Sequence, residues 1–366
     1  MSANTPRQTP GAPEEAVAGL LSRTARDLPT GRHEHHKERL MAHIEQAQHA
    51  QETDPSTPKA RRLRLPRPAV ALPALAAAVA AAVVAATAMT SGDGNGGGPV
   101  LATGPALTTQ IGAASPHGVT RLLDQVSLVA AHDDHPALKA GQYVYIESKT
   151  ADTFVKTVDG KSSLASHELH KRQVWYSPDG TKGWLIDPAV NDSPEGETLS
   201  LPDEQGNTPV AGLNNPSYDY LTKLPTDPDT LLGKIYKETK GHGNSPDQEA
   251  FTTIGDLLGE SYPPPALTKA LFKAAAKIPG VVTVNDAVDA VGRHGVAVAR
   301  LDGKSGQREE WIFDKNTHVF LGTRTVQVSK AVGPEKIIKP GTVLFTSAVT
   351  QRTIVNAIKQ VPSEDS

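Results

Sequence analysis

The sequence predicts an α+β protein: an antiparallel sheet with helices covering one face, preceded by one transmembrane helix and a mostly disordered N-terminal tail. Three observations predict it. An uncharged apolar run lies between a basic flank and a Gly-rich flank. Beyond it, short stretches of alternating apolar and polar residues are separated by turn residues, which is the pattern of hairpins. Three segments of helical period sit together in the middle of that region, so strands and helices are segregated along the chain.

Residues 1–30 are rich in Pro, Ala, Thr and Gly and read as disordered. Residues 32–50, "RHEHHKERLMAHIEQAQHA", read as a short helix with Leu40, Met41 and Ile44 in a narrow apolar stripe. This part, 1–67, is too small for a catalytic domain and large enough for a docking helix.

The run 68–90 contains 23 residues, 12 of them Ala, and none charged. As a helix it would rise about 34 Å, against a hydrocarbon core of ~30 Å. Its four Val and two Leu contribute on the order of −3 kcal/mol to insertion. A cleaved signal peptide would have a short charged region before a core of about 7–15 residues; here 67 residues precede a longer run. A soluble Ala/Val helix would need protein packed all round it, and the flanks offer none. Lys59, Arg61, Arg62, Arg64 and Arg67 precede the run, and no Lys or Arg follows until Arg121. The bias places 1–67 in the cytoplasm and 91–366 outside, in a single-pass cell-membrane protein, with the basic cluster against anionic headgroups.

Residues 91–117 read as a Gly/Pro linker, and 118–366 as the extracytoplasmic α+β domain. "HGVTRLLDQVSLVAAH" is an amphipathic helix. "GQYVYIESKTAD" is a strand with Tyr143 and Tyr145 on one face and Val144 and Ile146 on the other. "KRQVWYSPDGTKGWLID" is two strands about a Ser-Pro-Asp-Gly turn. After a loop-rich stretch over 188–223 come three helices. Thr226 caps the first, with Pro228 in its first turn, and Ser245 caps the second. The third, "PPALTKALFKAAAKIPG", ends at Pro-Gly. The remainder, from "GVVTVNDAV" to "GTVLFTSAVTQRTIVN", is strands, with "DKNTH" as a turn.

Composition narrows the function. The 366 residues carry a net charge of −3, which argues against nucleic acid as a partner, and no cysteine, which removes disulfides, thiol nucleophiles and Cys-ligated zinc. His33, His35 and His36 in "HEHH" do not share a helix face. His132, Asp133, Asp134 and His135 in "HDDH" have suitable ligand types but sit before Pro136, where polar residues mark a loop. Asp227 and Asp229 suit a helix N-terminus. "GDGNGGG" lacks the strand and the Lys-Ser/Thr of a phosphate loop, and there is no G-x-S-x-G or H-E-x-x-H. No residue is therefore assigned to catalysis, to a cofactor or to a metal. Tyr143, Tyr145, Trp175, Tyr176, Trp184 and Trp311 are either ordinary sheet core or the lining of a lipid cavity.

The segments "AGQYVYIESKT" (140–150), "QVWYSPDGTKGW" (173–184), "LPTDPDTLLGKIY" (224–236), "EAFTTIGDLLGESYPPPALTKALFKAAAKIPGV" (249–281) and "GRHGVAVARLDGKSGQREEWIFDKNTHVFLGTRTV" (292–326) together resemble a family of uncharacterised actinobacterial single-span membrane proteins. That family carries a locus-style label and often occurs beside extracytoplasmic-function sigma factors. The outer domain in turn is similar to lipoprotein carriers and periplasmic sigma-factor regulators. This second resemblance implies that the sheet is a curved half-barrel; neither brings catalytic residues. The function expected is a non-enzymatic, membrane-bound sensor or binding protein that regulates a cytoplasmic partner such as a sigma factor. The alternative is a tethered carrier or chaperone for a lipid or lipoprotein. Either would take an apolar ligand or a lipoprotein outside.

Overall fold

The computed structural model describes residues 101–132, 137–158, 161–191, 193–199, 210–331 and 336–362. The expected tail with its predicted helix over 32–50, the expected span over 68–90 and the first ten residues of the expected linker lie outside them. Among the described residues no helix is long and apolar enough to cross a membrane.

Twelve strands form the sheet: β1 (Thr103–Pro105), β2 (Ala114–Ser115), β3 (Tyr143–Val158), β4 (Lys161–His167), β5 (His170–Tyr176), β6 (Gly183–Ile186), β7 (Glu197–Thr198), β8 (Val281–Val288), β9 (His294–Asp302), β10 (Gln307–Asp314), β11 (Phe320–Gln327) and β12 (Val343–Val355). The order is β2-β8-β9-β10-β11-β12-β3-β5-β6-β7, with β4 between β3 and β1. Every ladder is antiparallel. Strand β3 is 16 residues long; Val144–Thr150 pair with β5 and Thr153–Val158 with β4. Strands β4 and β5 thus act as one strand broken at Glu168–Leu169. Register shifts at Val284/Ala287, Ile312/Phe313, Thr325/Val326 and Val349/Gln351 add local twist and bend the sheet.

Among the described residues the helices are α1 (Val119–Ala131), α2 (Tyr218–Leu221), α3 (Pro228–Glu238), α4 (Pro246–Glu260) and α5 (Pro265–Ala275). Ser245 caps α4 as expected, its hydroxyl accepting from Gln248 N at 3.2 Å. The cap of α3 is Asp227 rather than Thr226: its carboxylate accepts from Thr230 N at 2.9 Å, with Pro228 first in the helix. An Asp side chain is a stronger cap than Thr and adds charge at the positive end of the helix dipole.

The alternation along each strand decides which layer it meets. Trp311, Phe313 and Val298 point to the helices and join one large core with Leu123, Leu231, Phe251, Ile254 and Leu271. Trp311 stacks on Phe251 at 3.9 Å between centroids, and Phe313 meets Phe272 edge-on at 5.6 Å. Val144 and Ile146 face the same way and pack on Tyr262. On the opposite face Ala297, Ala299, Ile312 and Val284 are fully buried.

What lies across that second face is the described part of the expected linker. It is built into the sheet. Strand β1 pairs with β4, Leu107 N donates to Thr153 Oγ1, Val343 N donates to Leu107 O, and Thr108 bridges Thr342. Farther on, Arg308 Nη1 donates to Gly112 O at 3.0 Å, and β2 pairs with β8. Residues 101–115 therefore form a strap over β3, β12, β11 and β10. A Cβ on Gly112 would stand 2.8 Å from Val284 Cγ1, so only glycine lets the strap lie this close. Under the strap, Glu310 accepts from Arg308 Nε (2.8 Å) and Arg324 Nε (2.6 Å), and all three side chains are buried.

Candidate functional site

Between the helices and the sheet a cleft of about 1040 Å³ opens to solvent. Six stretches make its wall: the C-terminal half of α1, the end of α4 with Tyr262 and Pro263, α5, the β8–β9 turn with Arg293, the β10–β11 turn with its flanking strand ends, and residues 349–353 of β12. Its bed is apolar, with Val126, Leu258, Tyr262, Phe272, Phe313 and Phe320. Leu128 and Val319, 58% and 49% exposed, lie on its outer parts.

Two guanidiniums border this bed. Arg352 Nη2 donates to Leu258 O at 2.6 Å and to Gly259 O at 3.4 Å, placing its charge on the carbonyl end of α4. The bulge at Val349/Gln351 sets which side of β12 this residue occupies. Arg293 pairs with Asp289 at 2.6 Å and donates to Leu321 O and Val349 O, and its side chain stays 42% exposed. His132 and His318 complete the ionisable lining; His318 adopts φ 58 after the tight β10–β11 turn. Among the described lining residues there is no carboxylate.

The residues singled out from sequence are dispersed. His132 reaches the cleft, its Nδ1 2.7 Å from Leu128 O, while Asp133, Asp134 and His135 lie outside the described residues, as do His33, His35 and His36. Asp227 is a cap, its carboxyl held below the ordinary range by the Thr230 hydroxyl and amide. Asp229 pairs with Lys277 at 2.6 Å. The six aromatic residues do not line a common cavity. Tyr145 and Trp175 are buried on the strap-side face, where Trp175 Nε1 donates to Gln360 O at 2.8 Å and Trp184 is covered by Lys359. Trp311 is under the helices on the other face. Alternation along the strands sends these rings to opposite sides.

A second polar group was not singled out in the sequence. At the break between β4 and β5, His170 Nδ1 lies 2.9 Å from Glu168 O and Nε2 3.0 Å from Asp187 Oδ1. Both of these partners only accept, so the protonated ring, with both nitrogens donating, is the form this arrangement favours. Burial alone would lower the His170 pKa, but the hydrogen bond and charge of Asp187 outweigh it and the net shift is upward. Burial likewise raises Asp187, and His170 with Arg172 more than reverses this, leaving it below the ordinary range. His167 and Asp152 pair alongside at 2.5 Å. Thr150 Oγ1 shares the Nε2 side of His170 with Asp187, whereas a nucleophile–base–acid relay needs them on opposite nitrogens. Among the described residues no group of three or more His, Cys, Asp or Glu could hold a metal ion.

No family model matches the chain. No curated protein matches it either, so the resemblance drawn from 140–326 gains no support from that side. Among solved structures, the complex structure of Pseudomonas aeruginosa MucA/MucB is similar at 12% identity over 68% of this chain, with a TM-score of 0.22. The similarity spans 59% of that chain's length. A superposition that loose carries no argument; the antiparallel α+β fold stands on the strand pairings themselves.

Proposed function

We propose that this chain is a non-enzymatic, membrane-tethered binding protein whose outer domain holds an anionic amphiphile in the cleft. The observation that supports the reading is the cleft's chemistry: an apolar bed flanked by Arg293 and Arg352, with no carboxylate among the described lining residues. Its volume lies at the upper end of small-molecule sites, about 300–1,000 Å³, and an acyl chain on the bed would leave its acid head beside a guanidinium. The tail 1–67 is then cytoplasmic and 91–366 outside, and the helix of 32–50 passes the signal to a cytoplasmic regulator, most simply a sigma factor. The tethered carrier uses the same cleft, and the opening toward solvent beside Leu128 and Val319 favours it as the second reading.

A fluorescent fatty acid titrated into the full chain in nanodiscs tests the cleft. Saturable binding is expected. Arg352→Gln should weaken it at least tenfold while leaving the corresponding fatty alcohol unaffected. Absence of saturable binding, or equal loss of both ligands, removes the proposal. Replacing Leu40, Met41 and Ile44 by Asp decides between the readings. Loss of a sigma factor captured by the wild-type tail supports sensing; a tail that captures no specific protein puts the carrier first.

A further inference from the structure

The strap leads directly into α1, whose C-terminal half walls the cleft. Strand β2 closes at Ser115; Thr283 Oγ1 donates to Ser115 O and His117 O; Gly118, at φ 83, turns the chain; and Val119 opens α1. The inner face of α1, with Leu122, Leu123 and Val126, joins the core, and residues from Val126 to His132 form one wall of the cleft. The same continuous backbone therefore runs from the N-terminal tether, across the back of the sheet, into the wall of the site.

The two ends of this path differ in how firmly they are held. The helix is anchored by buried Leu and Val side chains in the large core. The strap is held by strands of three and two residues, by one partly buried side chain, Leu107, against Val326 and Val343, and by dispersed bonds such as Thr109 N to Gly341 O (2.8 Å), Leu107 N to Thr153 Oγ1 (3.2 Å), Val343 N to Leu107 O (3.0 Å) and Arg308 to Gly112 O (3.0 Å). Elements with few buried apolar contacts open at lower free energy than the core. Tension on the tether would be met first by the strap and next by α1.

We propose that residues 101–115 are a latch that couples the N-terminal tether to the cleft. This rests on the cleft being the binding site. With the strap seated, as in this structure, α1 stands off β12 and the cleft is open to its ligand. When the strap leaves the sheet, α1 loses its fixed starting point at Gly118 and ligand affinity falls. Linkage makes the effect reciprocal: an occupied cleft holds the strap down by the same factor that a seated strap favours the ligand.

The chain contains no cysteine, which permits a clean test. Gly112→Val drives a side chain into Val284 and unseats the strap without touching the cleft. Thr108→Cys with Thr342→Cys joins strap to sheet, because these residues are antiparallel partners and such partners lie within reach of a disulfide. In the full chain in nanodiscs, Gly112→Val should lower fatty-acid affinity at least about fivefold and speed amide exchange over 126–131. Oxidising the Cys pair in the Gly112→Val background should restore both, and reducing it should lose both again. Should Gly112→Val not fold, the Cys pair alone decides: exchange over 126–131 should be slower oxidised than reduced. Unchanged exchange over 126–131 in every comparison overturns the latch, whatever the ligand does. Coupled exchange with no binding of the fatty acid by wild type keeps the latch and removes the ligand reading instead.

Discussion

Glu310→Gln isolates two buried cations. Glu310 is fully buried and, among the described residues, is the carboxylate paired with both Arg308 and Arg324, whose side chains are 5% and 1% exposed. The Gln side chain has nearly the same shape, so packing is kept and the charge is lost. Removing one partner of a buried ion pair costs about 3–5 kcal/mol, a large part of the ~5–15 kcal/mol that holds a domain folded. At about 2–4 °C per kcal/mol for a domain of this size, the melting temperature should fall by roughly 6–20 °C. A control separates charge from packing. Arg308→Met, Glu310→Leu and Arg324→Met made together remove all three charges and should cost far less than the single change. Thermal unfolding followed by far-ultraviolet circular dichroism, with urea midpoints at 25 °C, reads both. A Glu310→Gln protein melting within 2 °C of wild type, or a triple variant weaker than the single one, would refute the reasoning.

His170 gives the fold a pH dependence whose sign is fixed. Its pKa is raised in the folded state, so its stabilisation is full below the unfolded value of ~6.5 and is lost as pH rises through the folded value. The difference in urea midpoint between wild type and His170→Gln should shrink from pH 5.5 to pH 9; a constant difference would mean the ring is not charged. Phe251→Ala removes the partner stacked on Trp311 and should cost about 3–5 kcal/mol in urea unfolding, whereas a loss below ~1 kcal/mol would place that ring outside the core. Ser245→Ala should cost ~1 kcal/mol through the lost cap of α4, and glycine at the same position only a few tenths. In intact protoplasts, added protease should digest 91–366 and spare an N-terminal epitope; a protected C-terminal domain reverses the orientation.

The long alternating strands were legible because their period is enforced by burial on both sides. Tyr143 and Tyr145 were read opposite Val144 and Ile146, and each pair lies in the separate cluster expected of it. Helix caps were legible to within a residue, Asp227 displacing Thr226. Strands β1, β2, β4 and β7 were not. They have two to seven residues, and "TGP" or "KSSLASH" becomes strand only beside a partner far along the chain. The strap was read as a linker because its Gly, Pro, Thr and Ala carry no apolar stripe, and the groups that hold it, such as Thr342 and Arg308, lie far along the chain. The cleft was hidden for a similar reason. Phe272, Arg293, Phe320 and Arg352 belong to separate elements, and no local spacing connects them.

The central position of β3 also sets an order of events during synthesis. Its neighbours are β4 and β5, made soon afterwards, and β12, the last of the described strands. The strap is made earlier still, yet Gly112 and Arg308 are 196 residues apart. Pairings over such distances form slowly, because the entropy of closing the loop comes before any contact is gained. Until Val343–Val355 arrives, β3 and β11 each present an open edge, the kind of surface that recruits other strands. The nascent domain is thus adhesive for most of its synthesis, and a chain ending before residue 343 should be captured by chaperones or aggregate rather than persist as a smaller folded unit.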